Sequence, residues 1–345
     1  MNDTEDIEKA KLEKIKQVQQ VTATSLFSQA IKEKGIEDFS VESVNATKAD
    51  TILLVNVNGN NVLLKASANV QKWIGEVPKI VDALSDESKN SLEIFDALMS
   101  TKLPPFEIPI RLAKDITLKP NKNGKARFFT QGIMRPINFK TVKELEFVGV
   151  TEFEEKVFWG FGYYYQLETL IVADGVEKIG KAAFSCFKHL VSASLPDSVS
   201  EIGDDIFAGC DLLSSVSLPK NLTKINGMFH KCKSLKHIDI PDTVTQIDNW
   251  AFCNCDSLES VKLPEGLLEV GVHSFEHCIS LKSIRIPKNV VKIWPRAFEG
   301  CTALTSIEFD GTVEQWNKMP KGLYWNEKVP AKVVKCTDGE VSLEE

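Results

Sequence analysis

Cysteine is missing from the first 185 residues; all eight cysteines, Cys186, Cys210, Cys232, Cys253, Cys255, Cys278, Cys301 and Cys336, come later. No run of 18 or more apolar residues exists, so no membrane-spanning helix is expected. Met1 is followed by Asp3, Glu5 and Asp6, where a secretory signal needs a basic start and an apolar core, so no Sec signal is expected. A surface location would then need another export route, a signal removed from this chain, or carriage on a particle such as a phage virion. An excess of positive charge is also lacking. Lys plus Arg is 41 against 48 Asp plus Glu, a net charge of -7, which argues against a nucleic-acid partner or a polybasic membrane anchor.

The motifs of catalysis are equally scarce. No phosphate-binding loop, no G-x-S-x-G elbow and no Cys-x-x-Cys pair occurs, and Gly160-Phe161-Gly162 lacks the third glycine of a dinucleotide turn. The five histidines are His189, His230, His237, His273 and His277. His273 and His277 are four apart, but Ser274 stands where a zincin needs Glu, and the pair flanks Phe275 in a turn. The expectation is no enzyme, no metal and no cofactor, with His273 a turn residue of little weight.

With 345 residues, 43% hydrophobic and 26% charged, the chain can bury a sizeable core, and its length suggests two or three domains. Residues 1–140 carry a charge of +2 and residues 141–345 carry -9.

Six cysteines recur at steps of 24, 22, 23, 23 and 23 residues, a period unlike the irregular spacing of a disulfide-stapled miniprotein or a zinc site. Setting Leu167, Leu190, Leu213, Leu235, Leu258, Leu281 and Leu304 in register gives repeats of 23, 23, 22, 23, 23 and 23, one of them a residue short. Ile284 and Ile286 before Pro287 read as a strand with one buried face, ended by a residue that cannot donate to a ladder. Pro196, Pro219, Pro241 and Pro264 hold the same place in other repeats. Such a unit cannot bury its apolar side alone, so repeats must stack into a solenoid. Phe184, Phe207, Phe229, Phe252, Phe275 and Phe298, with the cysteine column, would form the spine. Core thiols are the preferred reading of these cysteines, with disulfides or metal ligation as the alternative; Cys253 and Cys336 are expected to be the reactive ones.

The text LKSIRIPKNVVKIWPRAFEGCTAL, residues 281–304, resembles the BspA-type leucine-rich repeat. The tail, with Gly311, Thr312, Trp316, Trp325, Cys336, Asp338 and Gly339, is similar to the segment that closes such arrays. The resemblance covers about 142–345. It implies a mixed α/β leucine-rich-repeat solenoid of 23-residue period with a capping segment at 307–345, and a cell-surface or secreted adhesion role. Leu145, Phe147, Val150 and Phe153 form a degenerate first repeat, and Tyr163, Tyr164 and Tyr165 interrupt the register after it.

Residues 4–34, rich in Lys, Glu, Gln and Ala, read as one or two helices, either packed on their own domain or self-associating. TILLVNV, Asn58-Gly59-Asn60 and NVLLKAS read as a hairpin at 51–67, and residues 69–99 as helical. Pro104, Pro105, Pro109 and Pro120 mark a connecting stretch, with a turn at Asn123-Gly124. The expected organisation is a small α+β N-terminal domain at 1–100, a connector at 101–141 and the solenoid at 142–345.

In the strands of the array, residues between the buried leucines should face outward. One column, Thr169, Ser192, Ser215, His237, Ser260, Ser283 and Ser306, reads as small packing hydroxyls or a sugar track; the next, Ile171, Ser194, Ser217, Asp239, Lys262, Arg285 and Glu308, varies in charge. Lys236, His237, Asp239, Lys262, Lys282, Arg285 and Glu308 are the candidate partner-binding residues. The leading expectation is a non-catalytic recognition protein that binds a protein or glycan in adhesion, with no nucleic acid and no membrane insertion. The alternative is a structural component of a surface or virion assembly, with a homo-oligomer formed through the N-terminal domain.

Overall fold

The computed structural model describes residues 2–46, 50–67, 69–106, 116, 118–123, 125–134, 137–159, 162 and 165–343. Gly124, Tyr163, Tyr164 and the dipeptide Gly160-Phe161 lie outside them. Contacts divide the chain into two units, Met1–Thr151 and Glu152–Glu345.

The first unit opens with α1 (Asn2–Glu33), which buries Ala23, Phe27 and Ile31, one face at a spacing of four, with Phe27 stacked on Trp73 at 6.2 Å. Strands β1 (Phe39–Ala46), β2 (Asp50–Val57) and β3 (Asn60–Ser67) form an antiparallel meander. Asn58 and Gly59, at φ 50° and 85°, make the tight hairpin turn between β2 and β3. A Cβ on Gly59 would lie 2.5 Å from the Lys125 carbonyl, so no side chain fits there. Helices α2 (Val77–Ser85) and α3 (Ser91–Met99) follow. Within the stretch read as a connector, β4 (Lys125–Met134) pairs in parallel with β3, Asn61 opposite Phe128. Buried Asn61 accepts from the Lys119 N–H (3.1 Å) and donates to the Arg127 carbonyl (3.2 Å), tying that stretch to the hairpin. Strand β5 (Glu144–Phe153) carries Leu145, Phe147, Val150 and Phe153 fully buried.

The second unit repeats one course of chain. Two short strands per repeat, or one in the repeats that start at Leu235 and Leu258, build two ladders. The first holds β6 (Thr169–Val172), β8 (Ser192–Ser194), β10 (Ser215–Ser217), β14 (Ser283–Ile286) and β16 (Ser306–Phe309). The second holds β7 (Lys178–Ile179), β9 (Glu201–Ile202), β11 (Lys224–Ile225), β12 (Gln246–Ile247), β13 (Glu269–Val270) and β15 (Lys292–Ile293). The pairing is parallel, as stacking of equal repeats requires, with Leu170 opposite Ala193 and Ile247 opposite Val270. Each proline carbonyl after a first-ladder strand accepts from the N–H three residues on, as Pro287 does from Val290 (3.1 Å), so proline both ends the strand and starts the turn.

A third, tighter ladder runs along the phenylalanines. In the repeat of Phe252, the N–H groups of Trp250, Phe252 and Asn254 donate to Val272, Ser274 and Glu276 of the next repeat at 3.0, 2.7 and 2.8 Å. The residues two before and two after the phenylalanine have positive φ, 60° at Trp250 and 58° at Asn254, and the same pair recurs from Ala182 and Cys186 to Arg296 and Gly300. Each non-glycine residue in that conformation costs about 1–2 kcal/mol. The hydrogen bonds and the buried ring offset it. Phe158, Phe184, Phe207, Phe229, Phe252, Phe275 and Phe298 stack at 5.2–6.3 Å, and Trp325 ends the column edge-on at 6.3 Å. The cap then continues with α4 (Val313–Lys318), whose Thr312 and Gln315 form a capping box, and the hairpin β17 (Val333–Cys336) and β18 (Gly339–Ser342).

The cysteine column differs from expectation at one end. Cys210, Cys232, Cys255, Cys278 and Cys301 are fully buried, free, and each donates its thiol to the carbonyl of the phenylalanine one repeat earlier at 3.0–3.3 Å. Phe187, not Cys186, occupies this position in the first of these repeats, and Cys186 sits one residue earlier, half-exposed at φ 62°. The step of 24 residues was the sign of it. Cys253, expected to be reactive, is fully buried and donates to Glu276 at 3.4 Å. Burial pushes the Cys210 thiol up to about 12 and raises Cys232, Cys253, Cys255 and Cys278 as well. With a thiol reagent, native protein should label at Cys186 and Cys336, and at the other six only after denaturation; mass spectrometry of the labelled peptides checks this.

Candidate functional site

All seven candidate residues are exposed, but they divide by what their charges do. Lys282 pairs with Glu259 one repeat back at 2.9 Å, and Arg285 with Asp310 at 2.7 Å. Such pairs between neighbouring repeats recur along the array: Lys178 with Glu152 at 3.3 Å, Lys188 with Asp211 at 2.9 Å, Lys220 with Asp197 at 2.9 Å and Lys224 with Asp248 at 3.0 Å. Hydrogen bonds from Lys220, backbone and side chain, hold Asp197 below the ordinary carboxylate range, and the Lys282 hydrogen bond does the same for Glu259. Surface charge is thus spent largely inside the array. Among the described residues Lys236, Asp239, Lys262 and Glu308 make no ion pair, and His237 shares a hydrogen bond with Ser260 at 3.1 Å.

Three of those four charges lie where the first ladder is open. Ser217 still accepts from Leu195 at 3.0 Å, and Ser283–Ile286 pairs fully with Ser306–Phe309. Between these, among the described residues, no backbone hydrogen bond joins Ser215–Ser217, residues 237–240, residues 260–263 and Ser283–Ile286 to one another. The exposure of the inward residues follows: Ile238 and Val261 keep 6 and 8% of their surface against 2 and 1% for Ile284 and Ile307 at the same place in the repeat, and Leu218 keeps 9% against 0% for its counterpart Ile286. On the phenylalanine side the same repeats are closed, the rings of Phe229, Phe252, Phe275 and Phe298 lying 5.2–5.3 Å apart. Lys236 and Glu259 still accept from the N–H groups of Glu259 and Lys282 at 3.0 and 3.3 Å, but residues 237–240 and 260–263 beyond them keep unused backbone hydrogen-bonding capacity, and the Asp239 and Lys262 side chains stand on that part of the strand face. Hydroxyls of the middle column bond along it, Ser192 to Thr169 and Ser260 to His237, each at 3.1 Å.

The family described as BspA type Leucine rich repeat region matches residues 151–228 and 226–319, in six copies. The repeat array belongs to that family. It is a family of repeat proteins whose fold generally serves protein or surface interaction. Among solved structures, a Treponema pallidum leucine-rich repeat protein is 32% identical, with 47% of this chain and 77% of that one covered and a TM-score of 0.42. A leucine-rich repeat protein of Bacteroides ovatus is 22% identical over 88% of this chain and 70% of its own, TM-score 0.47. A leucine-rich cell surface protein of Faecalibacterium prausnitzii is 22% identical over 56% and 63%, TM-score 0.29. No curated protein matches the chain. No helix among the described residues is long and apolar enough to cross a membrane.

The BspA-type array also carries a polar cluster at the phenylalanine corner that sequence reading missed. Glu276, 7% exposed, receives the Cys253 thiol and faces His273 Nδ1 at 3.0 Å and His277 Nδ1 at 3.9 Å. His273 also stacks on Trp250 at 4.2 Å, and His230 meets the same indole edge-on at 5.5 Å. His273 is therefore a packed partner of a buried carboxylate and not an idle turn residue. The signal was the acid between the two histidines, one place after Phe275. Among the described residues no three His, Cys, Asp or Glu side chains are placed to hold a metal ion.

Burial lowers the His230 pKa from 6.5, against a smaller opposite pull from Asp205 and Glu276. The unfolded chain then binds the proton first, so stability contributed by neutral His230 is present at neutral pH and falls as pH drops below about 6.5. Urea midpoints at pH 7.5 and 5.5 should differ less in His230→Gln than in the unaltered protein.

Proposed function

We propose that this chain is a non-catalytic recognition protein that binds a protein or glycan in adhesion through the strand face around Lys236, His237, Asp239 and Lys262. The observation that carries the reading is a coincidence: three of the four candidate charges without an ion pair, Lys236, Asp239 and Lys262, stand in the repeats whose first ladder is open. A surface whose ion pairs are closed within the array offers a partner little, because each contact must first break an internal pair. Lys236, Asp239 and Lys262 carry no such penalty. Family membership supports the interaction role; the adhesive setting and the partner class are the proposed part.

The triple variant Lys236→Ala, Asp239→Ala, Lys262→Ala removes exposed side chains only, so its stability should stay within about 0.5 kcal/mol per site. Labelled protein is read on printed panels of glycans and of cell-surface proteins. Binding by the unaltered chain should fall at least about tenfold, or 1.4 kcal/mol, in the triple variant. It should persist in Lys282→Ala, Arg285→Ala. Equal binding by the triple variant and the unaltered chain places the contact elsewhere.

A further inference from the structure

The short repeat opens the second ladder as well. Between Ile225 and Phe229 stand three residues, Asn226, Gly227 and Met228, where flanking repeats have four. Elsewhere in this ladder two backbone bonds join neighbours, as in Leu268 to Thr245 (3.1 Å) and Gly271 to Ile247 (2.8 Å). Among the described residues their counterparts from Thr223 to Ser200 and from Asn226 to Ile202 are not made, and β9 does not pair with β11. Ile202 is half-buried, whereas Ile179, Ile225, Ile247, Val270 and Ile293 are buried. A groove of 880 Å³ extends from Glu152 across β7 and β9 to Lys224; Val199, Ile202 and Leu222 line its β9–β11 end, with Ser200, Glu201 and Lys224 beside them. Glu201 keeps 70% of its side chain exposed and reaches Lys178 only at 3.9 Å.

We propose that this groove binds an extended peptide segment that carries an aliphatic residue next to a basic one. The unpaired Thr223 N–H and the Ser200 and Ile202 carbonyls match the donors and acceptors of a peptide group. Ile202 takes the aliphatic side chain and Glu201 the basic residue, while Lys224 stays paired with Asp248 at 3.0 Å. This site lies on the other ladder from the Lys236 patch and does not depend on it.

The full-length chain is screened against a synthetic library of random pentapeptides, beside three variants. The unaltered protein should enrich sequences with an aliphatic residue next to a basic one. Ser200→Trp, which fills the groove from an exposed position, should lose that enrichment at least tenfold. Glu201→Lys should replace the basic preference by an acidic one, which decides the matter should Ser200→Trp fail to fold. One alanine inserted between Asn226 and Gly227 should protect the Thr223 amide from exchange and abolish the enrichment. No enrichment by the unaltered chain, the same enrichment by folded Ser200→Trp, or an unchanged basic preference in Glu201→Lys overturns the proposal.

Discussion

The hydrogen-bonded phenylalanine corner is the constraint on which the array depends. Three alternate N–H groups per repeat point to the next repeat, and the two positive-φ residues bend the chain so that they can. The corner then has one inward side chain at its centre, and a flat ring stacks there with a gain of about 0.5–1.5 kcal/mol per pair beyond burial. Three residues on, Phe187 fills the place in the first of these repeats and cysteine fills it in the next five. A thiol fills that place and satisfies the phenylalanine carbonyl. Threonine or leucine would supply either the bond or the apolar contact, and cysteine supplies a weak form of both.

Because this corner runs unbroken, the two strand ladders are free to open. The first does so around Lys236–Lys262 and the second between β9 and β11, and both openings border the repeat that is one residue short. A solenoid of identical repeats would present closed ladders and self-neutralised charge throughout. The short repeat borders both openings, and there the array presents backbone groups and charges that the closed ladders do not.

Much of this was legible because the period places a residue 23 positions from its neighbour in space. Leucine, phenylalanine and proline columns could be read directly, and so could the cap, whose Trp316 and Trp325 pack at 5.8 Å. Legibility ended where one residue changed the phase: Cys186 was taken for a spine thiol although Phe187 holds the place, and the 22-residue repeat was noted without its consequence. Single-chain reading also cannot see ion pairs across repeats until the columns are laid side by side, so Lys282 and Arg285 seemed as available as Lys262. In the first unit the hairpin was plain from Asn58-Gly59, whereas the pairing of β3 with β4 depends on a contact about 66 residues away in sequence that no local pattern encodes.

Native-state amide hydrogen exchange, resolved by residue, tests the central claim most directly, since it reads each ladder separately. Slow exchange is predicted for the N–H groups of Phe229, Phe252 and Phe275, with rapid exchange at residues 238–240 and 261–263 of the same repeats. Protection at 238–240 and 261–263 equal to that at Phe252, or faster exchange at the phenylalanine corner than on the strand face, would contradict it.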